Sequence, residues 1–130
     1  MMTPQIPANV EAECAILGSL LMDAEAVQRV RPFLKAEHFY NERHGWIYTA
    51  ILDMAATGRP ADFLTLTDAL EAKRQLEEAG GPAYIMDLIN AVPTAVHVEY
   101  YAEIVVKLAS DRQAIRLASQ IAEQAYQGNG

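Results

Sequence analysis

The sequence predicts an all-α protein, a compact multi-helix bundle followed by one long helix. Apolar residues recur at three- and four-residue spacing along most of the chain, and residues suited to capping stand where those runs begin. Strand signals are weak. The only β-branched candidate, residues 63–67, is too short to support a sheet and reads as the capped start of a helix.

Each element has its own justification. Residues 1–8, with Pro4 and Pro7, read as an extended tail. Asn9 caps a first helix whose opening turn holds Glu11 and Glu13, which suit the positive end of the helix dipole. Ile16, Leu17, Leu20 and Leu21 form its buried face. Gly18 interrupts that face at a cost of about 1 kcal/mol relative to alanine, so its presence predicts a close approach by another backbone. A short helix over 24–31 ends at Pro32, and Asn41 caps the next, which runs to about residue 56. Gly58 stops it just past its end. After a loop over 59–64, Thr65 with Asp68 makes a capping-box-like start for a helix through Lys73. Another short helical piece closes at Gly80 and Gly81, and Pro82 suits the first turn of a helix reaching about Asn90. Pro93 separates this body, residues 9–93, from the long terminal helix of 94–130.

The terminal segment carries the strongest signal. Residues 94–127 contain no glycine or proline, and Tyr101, Ile104, Leu108, Ile115, Ala118, Ala122 and Ala125 repeat at helical spacing. A helix of about 30 residues is roughly 45 Å long, whereas a compact body of this chain length is only about 36 Å across. The helix must overhang. Its outer part still carries an apolar stripe through Ile115, Ala118, Ile121, Ala122 and Ala125, which predicts cover from another molecule.

Bulk properties narrow the function. At 130 residues the chain is one domain, and 52% apolar with 21% charged content is globular rather than disordered or fibrous. A net charge of −7 argues against gripping nucleic acid through phosphates, so a direct DNA-binding domain is disfavoured. Arg112 with Arg116, and Lys73 with Arg74, read as solvated surface charge. The single Cys14 makes no internal disulfide, and the start lacks a basic segment before its short apolar run, which predicts a cytoplasmic setting with no membrane span.

Candidate chemistry is sparse. No Gly-x-x-x-x-Gly-Lys-Ser/Thr run cradles a phosphate. His38 and His44 fall on different faces and His97 is distant, so no metal site is expected. Glu11 and Glu13, two apart on a helix, do not face each other as a carboxylate pair, and dipole compensation with an external contact is the expectation. Cys14 has no evident histidine partner and reads as a small hydrophobe. His44 reads as a half-buried packing histidine donating to a backbone carbonyl. The competing reading is a small all-α enzyme with His44 or a glutamate as acid–base catalyst, which requires a concave pocket around the imidazole. Tyr84, after the glycine pair, is either a core tyrosine or a binding anchor.

Several segments in order resemble one family. They are Ile6-Pro7 with Val10-Glu11-Ala12-Glu13 and Ile16-Leu17-Gly18-Ser19, then His38-Phe39-Tyr40 with His44, and Gly58-Arg59-Pro60-Ala61-Asp62 with Thr65-Leu66. Leu76-Glu77 with Gly80-Gly81, and Val92-Pro93-Thr94-Ala95 with Glu99-Tyr100-Tyr101-Ala102, complete the set. Together they resemble the N-terminal domain of bacterial replicative DNA helicases of the DnaB family, over nearly the whole chain. The resemblance implies a collar domain in which residues 94–130 are the first arm of a helical hairpin. Hairpins of adjacent subunits then pair, and six collars ring as a trimer of dimers. It also implies that duplex unwinding, with its ATP and magnesium, belongs to a C-terminal domain outside this chain, and that this domain is not catalytic and holds no cofactor. The implied partners are the C-terminal domain of the primase and a helicase loader, with little or no DNA contact. Carried over by position, Glu11, Tyr84, Ile115 and Ile121 face the primase. Leu108, Ile115, Ala118, Ile121, Ala122 and Ala125 line the oligomer interface.

Overall fold

The computed structural model describes residues 4–128, so the first three residues of the expected tail and the last two of the terminal segment lie outside the described residues. Six α-helices and one short 3-10 turn make up the regular structure among the described residues, with no strand. Residues 4–9 have no regular secondary structure. Helix α1 (Val10–Met22) begins as expected, with Asn9 Oδ1 accepting the Ala12 amide at 2.9 Å. Helix α2 (Ala26–Val30) is shorter than predicted. A 3-10 turn (Ala36–His38) leads to α3 (Glu42–Ala56), where the Asn41 side chain accepts the Arg43 amide.

The end of α3 is built as the sequence suggests. Gly58 takes φ +73°, its amide reaches the Ala55 carbonyl, and the Arg59 amide reaches that of Met54, which satisfies carbonyls the helix leaves unpaired. Helix α4 (Phe63–Ala72) corrects the prediction: its cap is Asp62, not Thr65. Asp62 Oδ1 accepts the Thr65 amide and Thr65 Oγ1 accepts the Asp62 amide, both at 2.9 Å, so the capping box lies one turn earlier. The short helical piece expected before Gly80 is instead a run of turns. Arg74, at φ +59°, ends α4 with the same paired bonds, and a like arrangement at Gly80 and Gly81 follows at once. Too few residues remain between the two ends for a helical turn to propagate.

Helix α5 (Gly81–Ile89) carries Pro82 in its first turn. Helix α6 (Val98–Gln127) is 30 residues long and starts four residues later than the expected segment, because residue 94 has no regular structure and 95–97 form a bend and turn. At the centre lies α1, packed by α3, α5 and α6. From 12 to 21 every residue except Cys14 is buried, and Ile16, Leu17 and Leu20 have no exposed surface. Each such side chain contributes roughly 1.5–3 kcal/mol. Gly18 makes the predicted close crossing: a Cβ there would stand 2.0 Å from the Leu88 carbonyl oxygen of α5. Tyr48 of α3 is wholly buried and donates to the Leu34 carbonyl at 2.8 Å, while burial pushes its phenol up to about 12.

Candidate functional site

The first turns of α6 bury Val98, Ala102 and Val105 in the body, after which every residue from 113 to 128 is exposed. The projecting half is therefore a solvent-exposed helix, which only its first turn, through Gln113, Ile115 and Arg116, brings near the body. Ile115 is 51% exposed and Ile121 68%, and Ala118, Ala122 and Ala125 are exposed with them. Leu108 is half-buried where the stripe enters the body. The three alanines make that face shallow enough for another helix to approach closely. Local support comes from Lys107, whose ammonium bridges both oxygens of Asp111 at 2.7 and 2.8 Å, four residues on.

Arg112 stands at the root of the projection, and its expected role as solvated charge is corrected. The side chain is buried, donating to the Pro7 carbonyl at 2.7 Å and the His38 carbonyl at 2.8 Å, with its guanidinium over the Tyr40 ring. A planar fork with five donors can hold two separate carbonyls at once, and lysine cannot do so in this way. This ties residues 4–9 and the 3-10 turn to α6. Beside it Ile6, Phe39, Tyr40, Ile115 and Arg116 line a groove of about 390 Å³. Arg116, by contrast, is exposed, as are Lys73 and its partner Asp53 at 2.9 Å.

The other candidates fall in different places. Glu11 is exposed on a groove of about 520 Å³ between α1 and α6, whose lining includes Cys14, Val92, Tyr101 and Ile104. Tyr84 is half-buried with its hydroxyl turned inward, and Arg43 covers its ring at 5.0 Å. Ile121 stands on the open outer helix. Glu11 and Tyr84 thus belong to the body, Ile115 to the groove at the root of the projection, and Ile121 to its far part.

Glu13 was expected at the surface, but it is 1% exposed. Its carboxylate accepts the Tyr40 amide at 2.6 Å, the Asn41 amide at 3.2 Å and His44 Nδ1 at 2.8 Å. His44 is likewise not half-buried on a carbonyl; it has no exposed surface and bonds Glu13 on one side and the Tyr84 hydroxyl on the other. Nor is Cys14 without a histidine: its Sγ lies 3.9 Å from His44 Nε2 and 3.8 Å from the Tyr84 hydroxyl. Burial pulls the His44 imidazole down, yet its bonds to Cys14 and Glu13 outweigh burial and raise it. The His44 bond lowers the Cys14 thiol against burial, and burial chiefly pushes the Tyr84 phenol up to about 12. An acid–base enzyme centred on His44 would need substrate to reach the imidazole, and burial denies it that access. Sequence spacing held a signal for this cluster: Glu13 precedes Ile16 and Leu17 by three and four residues, and His44 so precedes Ile47 and Tyr48.

Comparison with known proteins bears on the whole arrangement. Residues 5–107 match the family model described as the DnaB-like helicase N terminal domain. The replicative DNA helicase DnaB of Geobacillus stearothermophilus is 43% identical over 92% of this chain, and the chain spans only 26% of that relative's length. The crystal structure of the N-terminal domain of DnaB helicase from Mycobacterium tuberculosis is similar with a TM-score of 0.91 and 34% identity, over 94% of this chain and 88% of that one. A DnaB-like replicative helicase, solved for its structure and its interactions with primase, is similar with a TM-score of 0.77 and 29% identity, over 91% of this chain and 28% of its own.

Proposed function

Because the chain belongs to the family of DnaB-like helicase N-terminal domains, we propose that it is the non-catalytic collar of a hexameric, ATP-driven DNA helicase, joining subunits and docking primase. In this reading residues 9–93 are the body and 94–130 the first arm of a helical hairpin. The hairpin pairs with that of a neighbouring subunit, and six collars close as a trimer of dimers. The whole protein separates DNA strands at the replication fork in the cytoplasm. One observation carries the reading: α6 projects an apolar stripe that its own body leaves open from residue 113 outward. A lone helix gains most of its stability by burying such a face, so a neighbouring helix is its natural cover.

Packing is the mechanism. Leu108, Ile115, Ala118, Ile121, Ala122 and Ala125 meet the partner helix, with the alanines admitting its backbone. Glu11 and Tyr84 on the body, with Ile115 and Ile121 on the arm, receive the primase C-terminal domain; the relative solved for its interactions with primase supports this half. A helicase loader is a further candidate for the same collar. DNA contact is weak or absent, in keeping with the net charge of −7. ATP and magnesium are served elsewhere in the whole protein. This chain has no Gly-x-x-x-x-Gly-Lys-Ser/Thr phosphate-binding run, in keeping with that division.

The test is light scattering and sedimentation of the chain, alone and mixed with a cognate primase C-terminal domain. Ile121→Asp alters a side chain that is 68% exposed, so the monomer keeps its fold. Burying an unpaired carboxylate in the interface costs several kcal/mol, so association or primase affinity falls at least about a hundredfold. Unchanged mass and unchanged primase affinity refute the proposal.

A further inference from the structure

Helix α3 carries Glu42, Trp46 and Thr49 at spacings of four and three residues, so the three share one face. The 3-10 turn runs close beside α3 because Gly45 has no side chain: a Cβ there would stand 3.1 Å from the Ala36 carbonyl oxygen. Turn and helix together border a groove of about 540 Å³ whose walls are Glu37, Phe39, Tyr40, Glu42 and Trp46. Trp46, the one tryptophan of the chain, is half-buried and takes no part in the hydrophobic core. Glu37 and Glu42 are exposed, neither has an ion-pair partner among the described residues, and no cationic side chain lines the groove. We infer that this groove docks an arginine side chain on a segment of a partner protein.

The chemistry of the walls decides the occupant. Aromatic faces attract a cation through the ring quadrupole, tryptophan most strongly, and carboxylates beside them accept its hydrogen bonds. A guanidinium satisfies both at once, because it is planar and weakly hydrated, stacks on rings and forks onto a carboxylate. The same chain makes this pairing twice within itself, with Arg112 over the Tyr40 ring at 5.3 Å and Arg43 over the Tyr84 ring at 5.0 Å. Arg112 and Arg116 line the adjoining groove at the root of α6, which shares Glu37, Phe39 and Tyr40, and they leave Glu42 and Trp46 to the new site. Exposed tryptophan and tyrosine are the side chains on which protein partners most often anchor. The net charge of −7 adds long-range attraction for a basic segment and repels an anionic one. The site stands apart from Glu11, Tyr84, Ile115 and Ile121, none of which lines it.

The lone indole is its own reporter, since its N–H gives a single side-chain peak in a proton–nitrogen correlation spectrum of the 130-residue chain. That peak is followed during titration with the capped peptide acetyl-Arg-Leu-Arg-Leu-Arg-amide, and with the same peptide carrying citrulline or glutamate in place of arginine. The arginine peptide is expected to move the peak saturably and to bind at least about tenfold more tightly than the citrulline form, which keeps the shape and drops the charge. The glutamate peptide leaves the peak in place. Glu37→Gln with Glu42→Gln alters two exposed side chains, so the fold is kept, and weakens arginine-peptide binding at least about tenfold. Glu77→Gln with Glu78→Gln, exposed in the turns before Gly80 and outside the groove, removes the same charge and changes binding by less than about twofold. An unmoved indole peak, equal binding of the citrulline peptide, or parent-like affinity without Glu37 and Glu42 overturns the inference. So does an equal loss in the Glu77 and Glu78 pair, which would reduce the effect to attraction by net charge.

Discussion

Gly18→Ala tests whether the helix crossing at the heart of the body is as tight as its geometry states. Helix propensity alone predicts that the change stabilises α1 by about 1 kcal/mol. The structure predicts the opposite sign. The new Cβ would lie 2.0 Å from the Leu88 oxygen and 3.1 Å from the Leu88 carbonyl carbon, both backbone atoms that no rotamer change can remove. An ordinary carbon-to-oxygen contact is about 3.3 Å, so α5 must retreat by about 1.3 Å from α1. Ile85 and Leu88, at 0% and 1% exposure, face that gap and move with their helix. A gap of up to about 1 Å forfeits a quarter to a half of the dispersion energy across it, which places the cost near the top of the overpacking range, about 3 kcal/mol. The net loss is then about 2 kcal/mol, or a fall in Tm of roughly 6–12 °C for a domain of this size. Urea denaturation followed by circular dichroism, with calorimetry for Tm, measures it. A variant as stable as the parent, or more so, refutes the reasoning.

Two further substitutions probe the polar interior and the caps. Glu13→Ala strips the acceptor from His44 Nδ1 and from the Tyr40 and Asn41 amides, and is expected to destabilise the fold by about 3–5 kcal/mol; a parent-like urea midpoint contradicts the buried pair. Asp62→Ala removes the capping acceptor of α4 at a cost of about 1 kcal/mol. Bonds from the Thr65 backbone and then its side chain hold the Asp62 carboxyl below its usual range. Its contribution is therefore full above the unfolded value of about 3.9 and fades as pH falls through the lower folded value, so the gap between parent and variant is constant above about pH 5 and narrows below about pH 4. An undiminished gap at pH 3 contradicts the linkage.

Helix positions were legible where one residue type has one physical use. Asn9 and Asn41 are good caps and become caps, and Gly18 and Gly58 do what glycine alone does cheaply at those sites. Ambiguity entered where two readings shared a residue. Thr65 can open a helix or serve as its third residue, and Asp62, the stronger cap, settles the register. The projecting stripe was evident from length and spacing, since a helix that outruns its body must emerge from it. The Glu13, His44 and Tyr84 cluster was not, because pairing across α1, α3 and α5 depends on three-dimensional packing. A charged residue at a position of the apolar stripe was still a sign that a partner waited inside.

Arg112 gives the projection a fulcrum. It clamps two carbonyls from distant parts of the chain at the point where α6 departs, and roughly 24 Å of rigid rod extends beyond it at 1.5 Å per residue. A tilt of about 5° at that pivot swings the far end by about 2 Å, enough to shift a helix pairing out of register. Together with the burial of Val98, Ala102 and Val105, the direction in which the rod leaves the body thus depends on a guanidinium gripping the leading segment of the chain, and whatever tugs on that segment steers the rod.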